Sequence, residues 1–99
     1  MPSYNLTIAA EEDLRDIWRY TYQTWGFGQA ERYFDRIEAC CDALGSDTAG
    51  SKTLDGLPNG IRIQRCEHHY IVWLDQERPV IVAILDERMD FVRRLKDRL

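Results

Sequence analysis

Apolar side chains recur every three or four positions in the first half of the chain and alternate in the second. Leu14, Ile17, Trp18, Tyr22 and Trp25 form one stripe, which predicts a helix of roughly four turns. Thr7 stands before it as an N-cap whose hydroxyl can accept from a free first-turn amide. Glu11, Glu12 and Asp13 follow, where the positive end of the helix dipole favours acids. Residues 3–8 ahead of this helix read as a short strand, and "WGFG" closes it. A second helix starts near Gly28, with Ala30, Tyr33, Phe34, Ile37, Cys41 and Leu44 on its apolar stripe. Its other side carries Glu31, Arg32, Asp35, Arg36 and Glu38, and Gly45 suits a left-handed cap at its end. So short a connection predicts that the two helices pack as an antiparallel hairpin.

Residues 45–60 are rich in turn formers and read as loop. Strands are then predicted at about 60–66, 68–75 and 79–86, with "DQERP" turning the last pair. In "MDFVRRLKDRL", Val92, Leu95 and Leu99 stand at helical spacing and predict a short C-terminal helix. The order is β-α-α-β-β-β-α, an α+β chain with residues 1–99 as a single domain. The last strand is apolar at both parities, with Val80, Val82 and Ile84 on one face and Ile81, Ala83 and Leu85 on the other. Such a strand is covered on both sides. The hairpin can cover one side and the short helix part of the other, so the remainder predicts a partner surface.

Composition narrows the classes. No apolar run approaches the ~20 residues that span a bilayer, and the mean hydropathy is -0.48. The N-terminal stretch lacks the basic and apolar regions of a signal peptide, so a cytoplasmic protein with no membrane partner is expected. Cys40 and Cys41 are neighbours that point about 100° apart on a helix, and Cys66 stands alone without a CxxC motif. Three reduced thiols are the expectation. The net charge is -4, divided as -5 over residues 1–50 and +1 over residues 51–99. Glu87 to Leu99 is a locally positive tail on an acidic body, which argues against RNA as the principal ligand.

The stretch "GIRIQRCEHHYIVWLD" carries the side chains that RNA cleavage uses. That chemistry needs a base, a leaving-group acid and a cation on the phosphate, all converging on one spot. In regular strands Arg62 and Arg65 point to opposite faces, and so do His68 and His69. His69, Ile71 and Trp73 share one face; His68, Tyr70 and Val72 share the other. Arg62 with one histidine could still meet across neighbouring strands, whereas the structural reading gives Arg62 a carboxylate partner and makes the histidine a satisfied strand residue. Cys66, His68 and His69 resemble a metal cluster by composition only, because alternation divides them. Neither metal nor cofactor is expected. Trp18, Tyr22, Trp25, Tyr33 and Phe34 follow helical stripes and read as core.

Five pieces in order, "TIAAEEDLRDIWRYTYQTWG", "QAERYFDRIEACCDAL", "NGIRIQRCEHHYIVW", "VIVAILDERMD" and "FVRRL", resemble the ParE toxins of the RelE/ParE superfamily. These are the toxin half of bacterial toxin–antitoxin pairs, and the likeness covers essentially the whole chain. The resemblance implies a RelE-like fold, a small antiparallel sheet packed against a helical hairpin. It implies a ParD-type antitoxin that wraps the toxin in a hetero-oligomer, with DNA reached only indirectly through that antitoxin. It also implies a toxin that inhibits DNA gyrase by binding and is not an enzyme. RelE-branch relatives instead cut messenger RNA on the ribosome, and here Arg62, Arg65 and His69 would be the catalytic set. The acidic body, the lack of any tyrosine or histidine after Tyr70, and Asp86 in "ILDERMD" where relatives carry histidine favour the gyrase branch. Target contacts are expected on the tail, at Arg88, Met89, Asp90, Arg93 and Arg94. Antitoxin contacts are expected at Trp18, Tyr22, Arg62, Ile81 and Leu85. Arg62 and His69 match family positions and read as supporting the fold or the complex.

Overall fold

A computed structural model describes residues 3–44, 60–96 and 98. The elements are β1 (Asn5–Leu6), α1 (Ile8–Trp25), α2 (Phe27–Asp42), β2 (Ile61–Cys66), β3 (His69–Leu74), β4 (Val80–Asp86) and α3 (Phe91–Lys96). The order is the one the apolar pattern predicts. Apart from Gly60, the loop expected over residues 45–60, including the Gly45 cap, lies outside the described residues, as do Leu99 and the side chain of Val92.

Local chemistry accounts for the helix ends. The Thr7 hydroxyl accepts from the Ala10 amide at 3.1 Å, so the N-cap forms as its residue type requires. One residue, Gly26, joins the helices. It donates to the Tyr22 carbonyl, accepts from Ala30, and takes φ 91°, a conformation that costs a side-chain-bearing residue dearly.

The sheet order is β1-β4-β3-β2. Strands β2, β3 and β4 form an antiparallel meander, while β1 adds a short parallel pairing, Asn5 with Val80 and Leu6 with Ile81. The sheet is therefore not wholly antiparallel: the hairpin crosses one face and returns the chain to the far edge. In β4 the register slips, because Val72 pairs with Ala83 but Trp73 pairs with Ile81. Val82 is the extra residue of a bulge, and a bulge resets which face each side chain meets. Ile81 and Ile84 consequently face the hairpin, while Val82, Ala83 and Leu85 face the other way. Strict alternation had put Val82 with Ile84 and Ile81 with Leu85.

Two cores result. On the hairpin side Ile37, Cys41, Ile71, Trp73, Ile81 and Ile84 pack together. On the other side Ile61, Ile63, Val72, Val82, Ala83 and Leu85 gather around Leu95 of α3. The two-faced strand is thus covered within this chain, with Leu95 fully buried as the plug. A polar clasp reinforces it: Arg98 donates to both carboxylate oxygens of Asp13, at 2.6 and 2.9 Å, and to the Val82 carbonyl at 3.1 Å. Asp13 also accepts from the Ile84 amide at 2.9 Å. The bulge leaves backbone groups without ladder partners, and this clasp supplies them.

The expectation of three reduced thiols is overturned. Cys40 and Cys66 are joined by a disulfide, with 6.3 Å between their Cα atoms, and Cys41 is the free, buried thiol. Adjacency in sequence separates Cys40 from Cys41, but packing brings the last turn of α2 over the end of β2.

Candidate functional site

The sheet corner at the β2–β3 turn holds the histidines. Glu67 turns the chain at φ 55°, sending His68 outward and His69 inward beneath α2. The Tyr33 hydroxyl, on α2, accepts from the His68 amide at 3.1 Å and lies 2.6 Å from His69 Nδ1. The phenol and the imidazole share one hydrogen bond, whose direction follows the tautomer of His69. Burial pushes the His69 pKa down, and the opposing pull of Asp86, its cross-strand partner, does not reverse this. Burial likewise raises the Tyr33 hydroxyl.

Around that pair the charges neutralise each other. Glu87 receives Arg65 and His68, the latter at 3.2 Å, and the Arg65 guanidinium lies 5.9 Å from the Tyr70 ring. Arg88 donates to Asp86 through its amide at 2.8 Å and its Nε at 3.1 Å, which holds that carboxyl below its usual range. Arg62 Nε donates to Asp75 at 2.8 Å near the other end of β2. Arg65 is on the opposite face of β2 from Arg62 and Cys66, as alternation predicts. Arg62 and His69 share a face, but Arg62 pairs with Trp73 and His69 with Cys66, about 13 Å apart at 3.3 Å per residue. The set Arg62, Arg65 and His69 is not gathered at one point. Among the described residues no group of three or more histidines, cysteines or carboxylates is placed to hold a metal ion.

The outer face of the hairpin is different in character. Trp18, Tyr22, Leu14 and Phe34 line an open groove of about 790 Å³, with Glu11, Arg15, Arg19 and Gln23 at its rim. Trp18 meets Phe34 and Phe27 edge to face at 5.8 and 5.9 Å. Tyr22, Phe27 and Trp25 are 51%, 57% and 69% exposed, so the reading of the helix aromatics as core holds fully only for Tyr33. The reason is angular. Ala10, Leu14, Ile17 and Thr21 face the sheet, and Trp18, Tyr22 and Trp25 lie one step around the helix. Sequence reasoning missed Leu14 and Phe34 as groove residues, although an apolar stripe wider than one face was the available signal.

The remaining expected contacts separate. Trp18 and Tyr22 lie in the groove, while Ile81 and Leu85 are buried in the two cores at 0% and 3% exposure and present no surface for an antitoxin. On the tail, Asp90 caps α3 through the Arg93 amide at 3.3 Å. Met89, Asp90, Arg93 and Arg94 line a shallow cavity of about 390 Å³, and Arg88 is exposed beside them. No helix among the described residues is long and apolar enough to cross a membrane.

Comparison with known proteins agrees with this architecture. The family described as "ParE toxin of type II toxin-antitoxin system, parDE" matches residues 4–91. Toxin ParE of Escherichia coli is 44% identical over 101 residues, covering 100% of this chain and 98% of that toxin. Toxin ParE1 of Mycobacterium tuberculosis is 30% identical, covering 93% and 96%. A solved chromosomal ParDE toxin–antitoxin system from P. aeruginosa superposes with a TM-score of 0.68 at 15% identity, covering 87% of this chain and 98% of that one, which supports the fold. The chain belongs to the ParE toxin family, the toxin component of ParDE type II toxin–antitoxin systems.

Proposed function

We propose that this ParE toxin acts by binding DNA gyrase, without chemistry of its own, and is neutralised in the cytoplasm by a ParD-type antitoxin. One observation carries the non-enzymatic reading: the groups that could cleave RNA are engaged internally and spread over two faces. Arg65 is held by Glu87, Arg62 by Asp75 and His69 by Tyr33. Asp86 adds a negative charge where a leaving-group acid would be required.

The hairpin groove is the antitoxin's seat in this reading. Its aromatic floor and charged rim suit an amphipathic helix laid in a groove, with large side chains entering between Trp18, Tyr22 and Phe34. The exposed tail residues Arg88, Met89, Arg93 and Arg94 are the contacts to gyrase. Cutting off the tail is a poor test, because Leu95 and Arg98 close the second core. Arg93→Glu and Met89→Ala leave that core intact.

Expression of the chain under tight control without an antitoxin tests the proposal. Filamentation and a DNA-damage response with intact transcripts are expected, and both should weaken in Arg93→Glu. Rapid transcript cleavage with undamaged DNA would replace this reading with a ribosome-dependent messenger RNA endoribonuclease using Arg62, Arg65 and His69.

A further inference from the structure

The end of α2 is fastened to the sheet by one covalent bond, and its two cysteines differ in exposure. Cys40 lies in the last turn of α2 and is half-buried, whereas Cys66, the last residue of β2, is 3% exposed. Two turns earlier, Tyr33 ties α2 to the same sheet corner through His69 and the His68 amide. The nearby Arg36–Glu67 pair is exposed and 3.9 Å apart, too weak to replace a covalent tie. The bond also closes a segment of 26 residues, whose chain entropy is otherwise unrestrained in the unfolded state.

We propose that Cys40–Cys66 is a reversible thiol–disulfide latch, worked by low-molecular-weight thiols, that sets how firmly the hairpin is fastened to the sheet. A thiolate of the reductant attacks Sγ of Cys40, the less buried of the two cysteines. The sulfur–sulfur bond breaks, and the electron pair leaves on Cys66 Sγ, which then takes a proton. A second thiol attacks the mixed disulfide and releases Cys40 as a thiol. Two reductant thiols become one disulfide, and the protein gains two thiols. An accessible sulfur is what separates exchangeable disulfides from inert staples. Cys41 does not short-circuit the exchange: burial pushes its thiol up to about 12, so it supplies almost no thiolate at neutral pH. Reduction leaves α2 held at this corner by the Tyr33 hydrogen bonds and apolar packing, so the free toxin is less stable in a reducing environment. The inference holds whatever the cellular target.

The test uses the full chain, oxidised in air or incubated with excess reduced glutathione, then denatured, alkylated with iodoacetamide and weighed. Of the three cysteines, one should be alkylated in the oxidised protein and all three after glutathione. The reduced protein should melt lower by roughly 10 °C, and oxidised glutathione should restore the higher value. Cys40→Ser should melt with the reduced form and ignore glutathione. Three alkylated cysteines in the oxidised sample would overturn the proposal. So would coincident melting curves, or a bond that glutathione opens only after denaturation. The wild-type measurements suffice if the variant does not fold.

Discussion

The two faces of the sheet are comparably apolar but are covered by different means. On one face the 18-residue α1 and 16-residue α2 lie across the sheet, and burial is spread over many side chains, with Trp73, Ile37, Ile71 and Ile81 all nearly inaccessible. On the other, the six-residue α3 contributes Leu95 among the described side chains, backed by the Asp13–Arg98 clasp. The first face is held by area, to which each side chain contributes part. The second rests, among the described residues of α3 and beyond, on Leu95 and the Arg98 clasp, so each of these carries a larger share of its cover. An apolar strand surface therefore does not by itself signal a missing partner. In this molecule the surface that remains open is a helical one, where the sheet no longer shields the aromatics of α1.

That contrast can be broken most forcefully at the centre of each core. Trp73→Ala should cost about 3–5 kcal/mol, read as a lower urea midpoint, and should loosen both helices together. Leu95→Ala should cost about 3 kcal/mol. Its signature should be local, with faster amide exchange in α3 and β4 and little change in α2. Equal acceleration throughout would mean that the two faces do not differ as described.

The clasp comes next. Asp13→Ala removes the acceptor of both the Ile84 amide and Arg98; the Asp13 and Arg98 side chains are 13% and 27% exposed. About 2 kcal/mol should be lost, because Arg98 and a backbone amide are left poorly solvated. A double-mutant cycle with Arg98→Ala should show that the two losses are not additive.

The pH dependence is smaller and belongs to the hairpin face. His69 has a depressed pKa when folded, because burial favours its neutral form. The unfolded chain therefore binds more protons as pH falls below the ordinary imidazole value of about 6.5. Stability from this group is complete above that value and is lost as pH falls through the folded pKa. Denaturation measured across this window should show the slope in the wild type and a flatter profile in His69→Gln. The smallest effect is expected at Trp25, 69% exposed, where alanine should change stability by no more than about 0.5 kcal/mol. Tyr22→Ala, which opens the groove wall at a half-exposed position, should by contrast weaken capture of a ParD-type peptide while Trp25→Ala leaves it unchanged.

Period and capping chemistry were legible along the chain. The helical stripes, the Thr7 cap and the "DQERP" turn all formed where residue type and spacing require. The divergence of Arg62 from Arg65 was equally legible, since strand alternation is a property of the backbone. Family membership also lay within reach, because the order of short pieces extends over the whole chain.

Three-dimensional packing decided what separation along the chain conceals. The rotation of α1 about its axis decided that Thr21 is buried and Trp25 is not, since a stripe records spacing but not the angle at which a helix meets its neighbour. The bulge at Val82 decided which β4 residues share a core, because one inserted residue reverses alternation without changing the apolar pattern. Contacts spanning many residues decided the rest. Cys40 found Cys66, Tyr33 found His69, and Asp13 found Arg98. Each pair depends on how helices and strands are stacked, which no local sequence preference specifies.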